Sequence, residues 1–496
     1  GADAVTLGAG TTLGTIDLGS GTDTLALSTD GGTYTVTGVE TTTGGVGADL
    51  VTLGSAGSGM TVTLGAGTDA LTLANGTNTV TAVDVESVTG GAGADTLVLT
   101  NAANTLTTAG VESIVGGTLT DTLALTDITN ALTVSSIESI NGGTLDDSIT
   151  LGAAVTGAVF DLKAGIDTLR LASGTNSLTT TGVESVVGGG GTDTLTLAGN
   201  GSAVTVSAIE TIVGSTGNDA VTLSTVVSGG SFDLGSGTDT LNLANGGNTL
   251  TVSGNIETVV GGSGNDLITV GSAVTGLTYD LGGGTADRLT LSSAGTNTIT
   301  AVGIETIQGG TSSDNITFTA AASGISIDLG AGSDVINLAD AANTLSLNAT
   351  VETVVGGTLT DAITLTTAVT GGVYQLGSGT DSLTLTSTAA NSLTASDIEN
   401  ITGANGDDTI ALGSTITGGV INLNAGNDSL TLFNGTNSLT ATGIESITGG
   451  GGDDSVTLGT AVSGGTISLG AGNDTLTLAG GVGSTLTLDT TVETVV

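Results

Sequence analysis

Histidine, cysteine, proline and tryptophan are absent from this 496-residue chain, and Lys163, Arg170 and Arg288 are its only basic side chains. Each absence closes off a class of function. Without cysteine there are no disulfides and no thiolate metal sites. Without histidine, the commonest general base and the usual Cys–His and Ser–His nucleophile pairs are gone, so no enzymatic activity is expected. Three bases cannot neutralise a row of phosphates, which excludes nucleic acid as a partner and, for the same reason, an anionic membrane surface. No apolar run approaches the ~18 residues of a spanning helix, so membrane insertion is not expected. Four Phe and three Tyr leave few large aromatics to centre a globular core.

What remains is acidic, glycine-rich and aliphatic. The 47 acids give a formal net charge of −44, and 87 residues are glycine. High charge signals disorder only when hydrophobicity is low. Here 38% of residues are hydrophobic and the mean hydropathy is +0.40. Leu, Val, Ile and Ala interspersed with Thr are strand material. The lack of proline, and of glycine at every third position, excludes collagen.

One aspartate recurs from Asp3 to Asp474, with every spacing either 20–21 or 26–27 residues. Residues 148–167 typify the short module and 168–193 the long one. Within modules the apolar residues alternate, as in TLAL and TLTL, which predicts short strands with one buried face. Short strands separated by Gly, Asn, Asp and Ser at a fixed period predict an all-β parallel β-solenoid, with coils of 20–21 and 26–27 residues. Residues 1–496 read as a single continuous array, a window of a longer chain. A Glu series runs from Glu40 to Glu493, and an Asn series lies mostly eight or nine residues before each Glu. The Glu residues are expected on a solvated edge and the Asn residues in an internal hydrogen-bonded stack. Asp17, Asp161, Asp233, Asp280 and Asp328 are expected to be outward strand residues.

Stacking an Asp column places like charges about 5 Å apart, at a cost of roughly 1 kcal/mol per neighbour in water and roughly 3 kcal/mol at an effective dielectric of 20. A divalent cation would relieve this. Calcium suits carboxylates and loop carbonyls, whereas no soft ligand or imidazole favours zinc or copper.

The loops resemble the hemolysin-type calcium-binding nonapeptide of RTX proteins, G-G-x-G-x-D-x-U-x. Full matches to its first six positions stand at residues 44–49, 90–95, 188–193, 261–266 and 449–454, while 214–219 and 403–408 miss one Gly. Shorter variants end at Asp23, Asp69, Asp239, Asp334, Asp381, Asp428 and Asp474. The resemblance therefore implies calcium at Asp23, Asp49, Asp69, Asp95, Asp193, Asp219, Asp239, Asp266, Asp334, Asp381, Asp408, Asp428, Asp454 and Asp474. The loops 116–121, 142–147, 309–314 and 356–361 lack the later Gly and are not included. The family repeats every nine residues with calcium on both edges. One Gly-Asp loop per 20–27 residues instead suggests a single ion column and wider coils.

The resemblance further implies a secreted, extracellular or cell-surface protein exported by type I secretion, closest in character to surface-layer proteins and RTX adhesins. The expected role is a calcium-stabilised structural scaffold: surface layer, filament or adhesin stalk. Expected partners are further copies, head to tail or in a lateral lattice, and a cell-surface polysaccharide. The alternative is an ice- or glycan-binding module on the same solenoid, using its Thr rows.

Overall fold

The computed structural model describes residues 1–481 and 483–496. It divides into two compact units, Gly1–Ala244 and Asn245–Val496. Each is built in the same way.

In the N-terminal unit the chain opens with β1 (Ala4–Thr6), β2 (Leu13–Asp17), β3 (Thr24–Ala26) and β4 (Gly32–Thr37). β1 pairs in parallel with β3, and β2 with β4. Each coil thus contributes one strand to each of two parallel sheets. The pattern continues to the strand Thr240–Asn242. The C-terminal unit repeats it from Thr249–Val252 to Thr494–Val495. Among the described residues there is no helix. Each unit is therefore an all-β parallel solenoid, as the alternating pattern predicts.

The coil lengths need correction. Partners in neighbouring coils are offset by 17 residues, as in Thr24 opposite Thr41, or by 20, as in Ala4 opposite Thr24. A few offsets are slightly longer, such as Leu267 opposite Arg288. No register of 26 or 27 residues occurs among the described strands. Those longer Asp spacings are a short coil plus one crossing to the opposite edge, so the Asp residues alternate between two edges and do not form one column. The coils are accordingly narrower than the spacing suggests.

The core is a ladder of aliphatic side chains, one per coil per column. Val80, Leu97, Ile114 and Val134 face one another through four successive coils and are all at most 1% exposed. Ile316, Ile336, Val354 and Tyr374 do the same in the C-terminal unit. Each burial is worth roughly 1.5–3 kcal/mol, and repetition along the unit makes up for the missing aromatic centre. The few aromatics that exist are used inside: Tyr34, Phe160, Phe232, Tyr279 and Tyr374 are fully buried.

Glycine is demanded by contact between coils. At Gly182, φ is +59° and an added Cβ would lie 2.3 Å from the Lys163 carbonyl oxygen of the preceding coil. At Gly188 a Cβ would meet the Ala208 oxygen at 1.8 Å. The loops pack backbone on backbone, which only a residue without Cβ permits.

Candidate functional site

The candidate site is the set of repeated aspartates, and the structure places thirteen of the fourteen expected ligands in loops and Asp49 at the first residue of a strand, each at most 1% exposed. In the N-terminal unit, Asp23, Asp95, Asp219 and Asp239 lead into strands of the sheet containing β1, whereas Asp49, Asp69 and Asp193 lead into the sheet containing β2. In the C-terminal unit, Asp334, Asp408 and Asp428 lead into one sheet and Asp266, Asp381, Asp454 and Asp474 into the other.

These residues belong to mixed runs at each edge. Asn297, Asp314, Asp334 and Glu352 occupy the same loop position in four successive coils. The Asn297 amide N–H donates to Asp314 Oδ1 at 3.1 Å, and its Nδ2 donates to the same oxygen at 2.7 Å. The Asp314 N–H donates to Asp334 Oδ1 at 2.6 Å, and the Asp334 N–H to Glu352 Oε2 at 2.8 Å. The same run is built by Asn130, Asp147, Asp167 and Glu184 in the N-terminal unit. A shorter form with one Asp runs through Asn104, Asp121 and Glu138. Every step caps a loop N–H with a side-chain oxygen from the next coil, a charge-assisted bond that locks coil to coil.

Two expectations about neighbouring residues change as a result. The Glu residues do not merely line a solvated edge, because each of those named accepts a buried backbone N–H. The Asn residues are internal and hydrogen-bonded, yet they head the Asp runs and do not stack on one another. The Asn side chain also ties its own turn: Asn78 Nδ2 donates to the carbonyls of Ala74 and Gly76. Sequence offered a signal for this that the module spacing obscured. Asn to Asp and Asp to Glu are each separated by 17 residues in Asn78, Asp95 and Glu112. The outward aspartates lie in strands as expected, and Asp17, Asp161 and Asp280, at strand ends, accept the N–H two residues on.

The second carboxylate oxygen separates two kinds of Asp. In runs with one Asp it accepts a local N–H, as from Gly117 to Asp121 Oδ2 at 2.7 Å and from Gly91 to Asp95 Oδ2 at 2.9 Å. In the second Asp of a double run, Oδ2 is buried without a protein partner at Asp23, Asp69, Asp167, Asp287, Asp334, Asp381, Asp428 and Asp474, and the first Asp shares this at Asp266, Asp314, Asp408 and Asp454. Burial, and then the carboxylates of adjacent coils, push Asp167, Asp334, Asp381 and Asp428 up to about 6 from 3.8. Burial also raises Asp49, Asp69, Asp287 and Asp454.

An orphaned buried carboxylate oxygen fits a hard cation, which takes oxygen ligands. It fits a proton equally well. Among the described residues no three acids converge on one point, so a cation would draw most of its ligands from main-chain carbonyls. Shallow recesses recur beside Glu40, Glu184 and Glu399 at equivalent turns. The chain matches no protein-family model, and none of the curated proteins matches its sequence.

Proposed function

We propose that this chain is an extracellular structural array, serving as a surface-layer, filament or adhesin-stalk scaffold whose folding is assisted by calcium. The observation that carries this reading is the use of the repeated polar residues. Asn, Asp and Glu are consumed in joining each coil to the next, so their chemistry runs along the array and does not gather at one cleft. The location outside the cell rests on the resemblance of the Gly-Asp loops and on the acidic, cysteine-free composition. Where calcium binds, the Asp–Asp steps would hold it, through oxygens such as Asp334 Oδ2 and Asp381 Oδ2 with adjoining glycine carbonyls. A second reading, an ice- or glycan-binding module, is favoured by the hydroxyl rows on the outer faces.

Calcium titration of the EDTA-stripped chain, followed by far-UV circular dichroism, tests the folding half. With the chain held in urea near the unfolding midpoint of its metal-free form, a cooperative gain of strand signal, unmatched by magnesium at equal ionic strength, is expected. A strand signal that calcium leaves unchanged there removes calcium from the mechanism and leaves the acids as loop caps. Protease shaving of intact cells tests the location: the chain should be released, and full protection overturns the surface role.

A further inference from the structure

The acids of this chain are not spread evenly over its surface. In the N-terminal unit, the sheet that begins with β1 and ends with Thr240–Asn242 contains no Asp or Glu in any strand. Its only charged residue is Arg170. The opposite sheet differs, because Asp17, Asp161 and Asp233 close its strands. In a chain of net charge −44, a whole sheet face without one carboxylate is a marked segregation.

The face is also regular. Its outward side chains are small and mostly hydroxylated, and register aligns Ser148, Thr168, Ser185, Thr205 and Thr222 in five successive coils. Each hydroxyl both donates and accepts, so two such faces can satisfy one another. Thr methyls and the outward Val residues, including Val115 at 36% exposure, supply apolar contact.

We propose that this acid-free face is a docking surface for a second copy of the chain, paired face to face. Charge selects the approach. Edge-to-edge contact sets acidic loops against acidic loops, and the opposite sheet presents its terminal aspartates, whereas this face meets its twin with no carboxylate between them. Area permits it. About 14 strands at ~4.8 Å spacing give a length of ~60 Å, and three residues per strand give a width of ~10 Å. The result is about 600 Å² per copy, or about 1,200 Å² in total, the lower end of specific interfaces. The proposal deepens the scaffold reading and rests on it, because pairing through a defined face is how single arrays become a sheet.

The test is sedimentation velocity of the full chain over a hundredfold concentration range in physiological salt. The unaltered chain should dimerise. Thr168→Glu with Thr205→Glu should weaken the dimer at least tenfold, since the added carboxylates face one another across the contact. Thr107→Glu with Thr179→Glu, on the opposite sheet, should leave it unchanged. Circular dichroism of each variant verifies that the fold is retained. A dimer indifferent to the first pair, or equally sensitive to the second, overturns the face assignment while the scaffold reading stands. A chain monomeric throughout overturns the pairing and leaves a single-array stalk. Thermal hysteresis from the monomer, lost in the first variant, assigns the face to ice instead.

Discussion

Acid should stabilise this protein in the absence of metal, the reverse of the usual behaviour of carboxylate-rich proteins. Asp167, Asp334, Asp381 and Asp428 are raised from 3.8 to about 6, first by burial and then by carboxylates in adjoining coils. A carboxyl with a raised folded-state pKa binds its proton more tightly folded than unfolded. Its favourable contribution is full below the unfolded value of 3.8 and is lost as pH rises through about 6. Between about pH 7.5 and pH 5 the linkage amounts to roughly 1.4 kcal/mol per group. The carboxyls lie only a loop's thickness below solvent, so screening reduces this to about 0.7 kcal/mol each. Four groups then give about 3 kcal/mol, of which about 2 kcal/mol falls in the C-terminal unit with its three such residues and the rest with Asp167.

Urea unfolding in EDTA at about pH 5 and about pH 7.5 measures this. The lower pH keeps clear of the isoelectric point near 4.1, where precipitation would interfere. The midpoint should be higher at pH 5, with the signal from the C-terminal unit moving most. Replacing Asp334, Asp381 and Asp428 together by Asn should flatten the pH dependence. A midpoint that climbs with pH over this range would falsify the account, because it would mean that the buried carboxylates are stabilised as anions.

The caps and the core make further testable statements. Asp121→Asn should cost roughly 1–3 kcal/mol, because the new amide would leave a buried N–H without an acceptor; Asp167→Asn, at an orphaned oxygen, should be nearly neutral in thermal melts. Gly182→Ala should destabilise by more than about 1 kcal/mol, the strain of positive φ adding to the clash with the Lys163 carbonyl; a melting temperature equal to the parent's would show that the coils can separate locally. Leu97→Ala should cost about 2–5 kcal/mol, and hydrogen exchange should rise chiefly in the coils that contain Val80 and Ile114, since a solenoid couples nearest neighbours.

The sequence made the strands legible because alternation is local: TLTL at 194–197 buries Leu195 and Leu197 whatever the rest of the chain does. Parallel stacking was legible from the repeat. The coil length was not. The most visible marker, Asp, changes edge, so its spacing counts one and a half coils as one module. A single-edge ion column was the consequence of that count. The Glu and Asn series look like separate ladders in the sequence for the same reason, although Asn78, Asp95 and Glu112 share one position in successive coils. Burial of the carboxylates was hidden further, because it depends on how closely glycine loops such as Gly188 on Ala208 approach.

The change of edge has an electrostatic logic. From Asp69 the run passes 17 residues to Glu86 on the same edge, and the next Asp, Asp95, opens on the opposite edge. Where a run has ended on Glu138, its edge takes a neutral step before a new Asn: the Val155 N–H donates to Asn176 Oδ1. In the double runs a buried Asp therefore has at most one buried Asp beside it, and each run ends on a half-exposed Glu that returns its charge toward water, as at Glu184 and Glu352. An unbroken column would surround every Asp with two charged neighbours about 5 Å away, each opposing stacking by roughly 1–3 kcal/mol. Interruption replaces one of those neighbours by a neutral Asn or by a half-exposed Glu, which lessens the repulsion before any counterion is considered. The remaining need for a proton or a cation is concentrated where two Asp adjoin, at steps such as Asp314–Asp334 and Asp408–Asp428, where both carboxylates have an oxygen left over.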